Sequence, residues 1–408
     1  MRIALLSFAV PWMDRPTTGL YNVAQAVALA GLGHDAKVFT IAPWIPSFAG
    51  QLHPALRRQA SRPNEYEWDG VPIHTVRAPA AYPRSLRFGI ARTNPEAVAA
   101  MFDALVSPAL RRALDEFAPD ALVAHGMLPW GSFVTRYAAD RGIRSAIIEH
   151  SHEDVASVTP GSQIARYYAR QEQRVDAILT VSDSMTAGLR SAGLTSPATL
   201  LNGVTVHSGI ARQVGTSEFT VLCAGQYYER KGHAVLLNAF ARANLPSAHL
   251  RMVGHPPASL LGLIHDLGLA DRVTILQEMP NRELLEEMAN ADLFALPSWN
   301  EAFGLVFAES LGAGTPILMT NDTGFASFVE HGQHGWIIPP RDVAATIVAL
   351  RDAHRCGPER RAAMGEAGRK LVCSRFSWEQ NAVRLLTSLG AYESAPSTPA
   401  IHPLRRIA

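Results

Sequence analysis

Cysteine is scarce: Cys223, Cys356 and Cys373 are the three in 408 residues, with no paired spacing. That excludes a disulfide framework and fits a reducing compartment. No apolar run approaches the ~20 residues that span a bilayer. The opening MRIALLSFAV sets a basic residue before an apolar stretch, but the stretch is short, no small-residue cleavage site follows, and Pro11, Trp12 and Asp14 interrupt it. A buried first strand is expected there rather than a signal peptide. Neither sign of charge dominates, since 37 Lys and Arg meet 36 Asp and Glu for a net +1, so nothing points to nucleic acid or an acidic polymer as partner. A concentrated basic amphipathic helix is also missing, which limits membrane contact to a peripheral one. No G-x-G-x-x-G follows the first apolar run, which argues against a nicotinamide dehydrogenase. Together these absences lead us to expect a cytoplasmic protein.

What is present is a long alternation. Short apolar runs at residues 3–8, 36–41, 121–124, 146–148, 177–181 and 198–201 are separated by helical stretches, and the pattern resumes at 219–223, 250–253, 273–276, 293–296, 317–319 and 336–338. Runs that are apolar on both faces predict parallel strands covered by helices. The expected class is α/β, with two Rossmann-like doubly wound parallel-sheet domains over residues 1–205 and 206–375 facing each other across a cleft. The polar stretch 206–217 reads as the linker, and the proline-rich tail 394–408 as disordered. Residues 42–92, rich in proline, aromatics and spread arginines (Arg57, Arg58, Arg62, Arg84, Arg87 and Arg92), read as one long irregular segment, of the kind that often carries recognition.

The most informative stretch is residues 296–320, LPSWNEAFGLVFAESLGAGTPILMT. It reads as strand end, loop, helix and strand, with Glu301 before the helix and Glu309 about one turn inside it. Backbone N–H groups at a helix start lack intrahelical partners and suit a phosphate. An anion between two hydroxyl-binding carboxylates describes a sugar nucleotide. Glycines at 304, 312 and 314 suit close approach of the backbone to a ligand.

This stretch resembles the E-x7-E signature of retaining glycosyltransferases of family 4, which have the GT-B fold, and the resemblance extends over nearly the whole chain. It implies a retaining transfer of a sugar from a nucleoside diphosphate sugar, UDP- or GDP-linked, to a glycan, lipid-linked or small-molecule acceptor. The leaving phosphate oxygen would take the acceptor's proton on the same face. By the same resemblance Glu309 holds the ribose, Glu301 the donor sugar, and the backbone of Phe303, Gly304 and Leu305 the phosphate or sugar. Lys231, in the loop from Gly225 to Gly232, matches the family's diphosphate lysine. Gln226 stands where an arginine commonly follows the first glycine, so either Arg230 supplies the second positive charge or the diphosphate is held by one cation fewer. Gly254, Gln277 and Met279 match loops bordering the base. His125 matches a histidine beside the transferring sugar and the reaction centre.

Gly19, after Thr17 and Thr18, either lets backbone amides approach the diphosphate or simply opens a helix behind an N-cap threonine. His150, His152 and Glu153, in the run EHSHED, read as an acceptor-side polar loop rather than a metal site, since no second cluster completes a ligand set. No D-x-D occurs, the pair by which the other large glycosyltransferase fold holds a divalent ion, so no metal or other cofactor is expected. Glu172 with Asp176, and Asn202-Gly203-Val204, resemble structural markers of the family. Residues 376–390 resemble its last helix, which crosses back onto the first domain. Two rivals stay open: a nucleotide-sugar epimerase or hydrolase of the same fold, and a non-catalytic sugar-nucleotide-binding partner, which the departures at Thr18 and Gln226 keep in play.

Overall fold

The structure, a computed structural model, describes residues 1–12, 17–46, 57, 60–78, 93–207 and 218–392. Two sheets organise it. The first contains β1 (Arg2–Leu6), β2 (Asp35–Pro43), β3 (Glu65–Trp68), β4 (Val71–Ala78), β5 (Ala121–His125), β6 (Arg144–Glu149), β7 (Ala177–Thr180) and β8 (Ala198–Thr199). Their order is β3-β4-β2-β1-β5-β6-β7-β8, parallel except where β3 pairs with β4. The second contains β9 (Phe219–Ala224), β10 (Ala248–Val253), β11 (Val273–Leu276), β12 (Leu293–Ala295), β13 (Ile317–Thr320) and β14 (Gly335–Ile338) in the order β11-β10-β9-β12-β13-β14, all parallel. The central strands bury nearly every side chain, as in the run Ile3, Ala4, Leu5, Leu6 of β1 and the run Leu293, Phe294, Ala295 of β12. Helices cover both faces of such strands, which explains the continuous apolar runs.

Strand order decides where a ligand fits. In the first sheet the chain moves outward from β1 and then returns to its other side at β5; in the second it reverses between β9 and β12. Loops diverge at such a reversal and leave a crevice beyond the carboxyl ends of the strands. Residues after β1 and β5 on one side, and after β9 and β12 on the other, therefore face the openings.

Two expectations need correction. Residues 42–92 are not wholly irregular, because β3 and β4 form an antiparallel hairpin there. Asp69 and Gly70 at its turn have φ of 50° and 76°, the paired left-handed conformation of a type I′ turn that Asp-Gly favours. Glu65 and Glu67 on the outermost strand are exposed, a charge pattern that discourages edge-to-edge pairing. The strand expected at 198–201 is two residues long. Within 42–92, residues 47–56, 58–59 and 79–92, with Arg58, Arg84, Arg87 and Arg92, lie outside the described residues, as do most of the 206–217 linker and the tail from 393 onward.

The helix Trp378–Ser388 packs on the helix Leu20–Gly31 that follows β1. Gln25 Nε2 donates to Asn381 Oδ1 at 2.7 Å, and Asn381 Nδ2 donates to the Leu201 carbonyl at 2.8 Å. A Cβ at Gly203 would lie 2.5 Å from the Trp378 ring, so the Asn202-Gly203-Val204 turn is built for this contact. Phe376, just before the helix, packs with Phe303, Phe325 and Phe328. These buried contacts tie the chain after the second sheet to the first.

Candidate functional site

On the second sheet, the loop after β9 ends in a single 3-10 turn, Glu229–Lys231. Gly232 follows with φ of 72°, and a Cβ there would lie 2.2 Å from the Pro297 carbonyl oxygen. Only glycine permits that seat, so the loop after β9 rests on the loop after β12. The consequence is electrostatic. Lys231 Nζ donates to Glu301 Oε1 at 2.6 Å, and Arg230 reaches the same oxygen at 3.3 Å. The Glu301 side chain is 11% exposed. Its carbonyl accepts from Gly324 N at 3.0 Å, which pins the loop that carries it. Two cations thus meet on one carboxylate oxygen, and Arg230 Nε also lies 3.9 Å from Glu153 Oε1.

Gly304 opens the helix Leu305–Gly312 in the left-handed region, φ 94°. Phe303 is buried against Phe325 and Phe376, so its side chain serves the core and only its backbone is free to meet a ligand. Inside the helix, Glu309 Oε1 accepts from Asn281 Nδ2 at 3.1 Å, and burial pushes its carboxyl above the usual range. Gln226 is exposed in the loop after β9, and its carbonyl accepts from Tyr228 N at 2.8 Å. Gly254, after β10, has φ of 111° and lies against the Tyr227 ring. Gln277 is exposed and Met279 half-buried in the loop after β11. Between them Glu278 accepts from Thr17 Oγ1 at 3.1 Å, a contact from one lobe to the other.

On the first sheet, Gly19 has φ of 71°, and a Cβ there would lie 2.1 Å from the Ala9 carbonyl oxygen. The turn before the helix thus closes on the residues after β1, a sufficient structural reason for the glycine. Asn22 Nδ2 secures it by donating to Ser7 Oγ at 2.8 Å and to the Ala9 carbonyl at 2.6 Å. His125 ends β5, and its Nδ1 lies 2.8 Å from His150 Nε2. The two rings stack, and Tyr21 lies 4.6 Å from His150. Burial, and then the neighbouring His150, hold His125 well below its ordinary value; burial alone pushes His150 down to about 3. Both rings are therefore neutral near pH 7. His125 Nε2 is buried without a hydrogen-bond partner among the described residues.

These groups line a cavity of about 210 Å³ together with Ser7, Glu149 and Asp154. Glu149 Oε1 accepts from Met127 N at 2.6 Å and from the Tyr168 hydroxyl at 2.7 Å, which fixes the turn after His125. The structure thus brings His125 and His150 into one cavity and leaves His152 and Glu153 outside its lining. Glu153 is exposed and 3.9 Å from Arg230 Nε across the cleft. Sequence reasoning missed Ser7, Tyr21 and Tyr168, and it included Glu149 and Asp154 only as members of the polar run EHSHED. Ser7 and Glu149 carried a usable signal, since each is a polar residue at or just beyond the end of an apolar parallel strand.

Among the described residues no three His, Cys, Asp or Glu side chains gather as a metal site, and no helix is long and apolar enough to cross a membrane. Residues 18–202 match the family profile described as glycosyl transferase 4-like domain, and residues 211–371 match the one described as glycosyl transferases group 1. The chain belongs to the group 1 glycosyltransferases. Glu172 and Asp176, its expected markers, have structural partners: Glu172 accepts from the backbone N–H groups of Thr195 and Ser196, and Asp176 from that of Ser145.

Among curated relatives of this glycosyltransferase-family chain, a GDP-mannose-dependent alpha-(1-6)-phosphatidylinositol monomannoside mannosyltransferase of Mycobacterium tuberculosis is 32% identical over 43% of this chain and 48% of its own length. A D-inositol 3-phosphate glycosyltransferase of Segniliparus rotundus is 30% identical over 66% of this chain and 55% of its own. The chain thus spans about half the length of the curated relatives it matches. Among solved structures, a sucrose-phosphate synthase of Thermosynechococcus elongatus superposes with a TM-score of 0.73 at 20% identity, covering 95% of this chain and 97% of that one. Anabaena HepE in complex with UDP-glucose gives 0.69 at 15% identity over 96% and 100%. Both place the two sheets in the GT-B fold.

Proposed function

We propose that the chain is a retaining, metal-independent glycosyltransferase of the cytoplasm that moves a sugar from a UDP- or GDP-linked donor to a hydroxyl-bearing acceptor. The observation that carries this reading is the convergence of Lys231 and Arg230 on one oxygen of Glu301, beside the start of the helix that carries Glu309. A bound diphosphate competes for both cations and releases Glu301 to accept from a sugar hydroxyl. The cations then neutralise charge on the leaving phosphate as the glycosidic bond breaks, which is where positive charge lowers the barrier. Glu309 accepts from the ribose hydroxyls. His125, neutral and with Nε2 unpartnered among the described residues, faces the transferring sugar, and the leaving phosphate oxygen takes the acceptor's proton. The relatives' names, which join GDP-mannose to an inositol-based acceptor, support a nucleoside diphosphate donor and a polyol acceptor.

The test is transfer from a panel of labelled UDP- and GDP-sugars to a panel of sugar acceptors, with and without EDTA. Glu301→Ala and Lys231→Ala should lose transfer while keeping the wild-type melting temperature, and EDTA should change nothing. Near-wild-type turnover in both variants removes the assignment. A nucleoside diphosphate that binds should raise the melting temperature of the wild type.

A further inference from the structure

The two carboxylates that flank the start of the helix Leu305–Gly312 are held in different ways. Glu301 meets two cations, Lys231 and Arg230, on one oxygen. Glu309 meets none among the described residues, and its side-chain partner there is a neutral amide, Asn281 Nδ2, which donates to Oε1 at 3.1 Å. A carboxylate only accepts, so the amide must present its N–H. Burial raises the Glu309 carboxyl above its usual range, and the Asn281 bond works against that rise by favouring the charged form. Removing the amide would leave the anion unsupported where charge is costly.

The position of Asn281 matters as much as its chemistry. It opens the helix Asn281–Asn290, entered through Pro280 from the loop after β11, and that helix packs on the one carrying Glu309. Asparagine near a helix start commonly bonds the local backbone. This one instead reaches a residue 28 positions along the chain. Both side chains are half-buried. Glu309 Oε2 has no partner among the described residues and is not sealed from the surface. One oxygen is thus engaged and the other open.

We infer that Asn281 is a positioning residue for nucleotide binding: by holding Oε1 of Glu309 it turns Oε2 toward the ligand, and its removal weakens nucleotides through their ribose hydroxyls. This rests on the reading above that Glu309 accepts from the ribose. It adds that the loop after β11 and the ribose carboxylate act as one unit, so a change at residue 281 alters affinity without touching Lys231 or Arg230.

The test uses the full chain with UDP and GDP and with their 2′,3′-dideoxy analogues, which lack the hydroxyls that Glu309 would accept from. Calorimetry gives the affinities, and melting temperatures without nucleotide report folding. Asn281→Leu, close in shape but lacking the amide, should weaken the preferred ribonucleotide about tenfold and its dideoxy analogue less than about twofold. Asn281→Asp, which cannot donate when charged, should weaken the ribonucleotide at least as much, and it serves as the second variant if the leucine one does not fold. Equal losses for ribo- and dideoxynucleotide, or no loss for either, overturn the inference, because the amide would then not act through the ribose. A wild type that binds both kinds of nucleotide alike, or neither, removes Glu309 from the ribose and the inference falls with that reading. A wild type that discriminates, with variants that discriminate equally well, sinks the inference alone.

Discussion

The two faces of the cleft solve opposite electrostatic problems. On the second sheet, Lys231 and Arg230 crowd one oxygen of Glu301, so positive charge is held in reserve by an internal carboxylate. On the first, His125 and His150 are kept neutral, and the carboxylate of Glu149 is occupied by a backbone N–H and the Tyr168 hydroxyl. One face gathers two cations on a carboxylate, and the other sets two neutral rings beside a carboxylate that backbone and phenol engage. The same α/β layout yields both because the strand reversals fix where loops open, while the residues at those openings set the chemistry.

Breaking the charged face should have the largest effect. Lys231→Ala should lower kcat/KM by about 10²–10³, the scale seen when a preorganised electrostatic contact to the transition state is removed. Arg230→Ala should cost less, since Arg230 lies farther from Glu301 and is more exposed. Steady-state kinetics on both variants rank the two cations. Equal losses would mean a two-cation clamp, with Arg230 in place of the arginine that Gln226 displaces.

Acid should expose the neutral face next. A histidine held below its ordinary value binds no proton when folded but takes one when unfolded, so its stabilising contribution is complete above about pH 6.5 and is lost as pH falls toward the folded value. For His150 that window runs from about 6.5 down to about 3. His125 shifts in the same direction, and on the second sheet His233 is held down to about 4 by burial and the nearby Lys231 charge. Each contributes a slope of up to about 1.4 kcal/mol per pH unit inside its window. Melting temperatures between pH 7 and 4 should fall for the wild type and fall less steeply for His150→Phe. An unchanged slope in that variant would show that His150 does not titrate as a buried neutral ring.

Much of the charged face was legible in the chain. Glu301 and Lys231 lie in loops that follow parallel strands, and Glu309 sits about one turn inside the helix that the Glu301 loop leads into, so the periodicity that predicts strands and helices also predicts which residues face the opening. The neutral face was less so. Glu149 and Ser7 meet their partners Tyr168 and Asn22 through the packing of distant segments, and no short-range spacing encodes that. The β3–β4 hairpin was missed for a different reason. Asp69-Gly70 is a strong turn signal, but the charged, half-exposed residues of β3 lack the apolar character by which the other strands were recognised. Gly19 reads in the sequence as a diphosphate-approach or helix-opening residue and Gly232 as the end of a loop, whereas their positions show backbone contacts too close for any side chain.

Glu309 sharpens the comparison because it is a carboxylate held where burial opposes its charge. Glu309→Gln keeps an oxygen for Asn281 Nδ2 and removes the buried charge, so the folded state should be no less stable. Affinity for the preferred nucleoside diphosphate should nonetheless fall about tenfold, since a charged acceptor is worth roughly 1–1.5 kcal/mol more than a neutral one. Calorimetry with UDP or GDP against the melting temperature separates the two effects. Unchanged affinity would remove Glu309 from the ribose.

The smallest effect should come from the contact that joins the two faces. Thr17 Oγ1 donates to Glu278 Oε1 across the cleft, but the pair is exposed, and water replaces an exposed hydrogen bond at little cost. The lasting tie between the lobes is the buried pair Gln25 and Asn381, together with the aromatic cluster around Phe376. Thr17→Val should therefore leave the melting temperature unchanged and alter KM by less than about threefold, within the ~1 kcal/mol such a bond contributes. A loss of tenfold or more would mean that closure depends on this contact, and the two faces would then act as one gated unit.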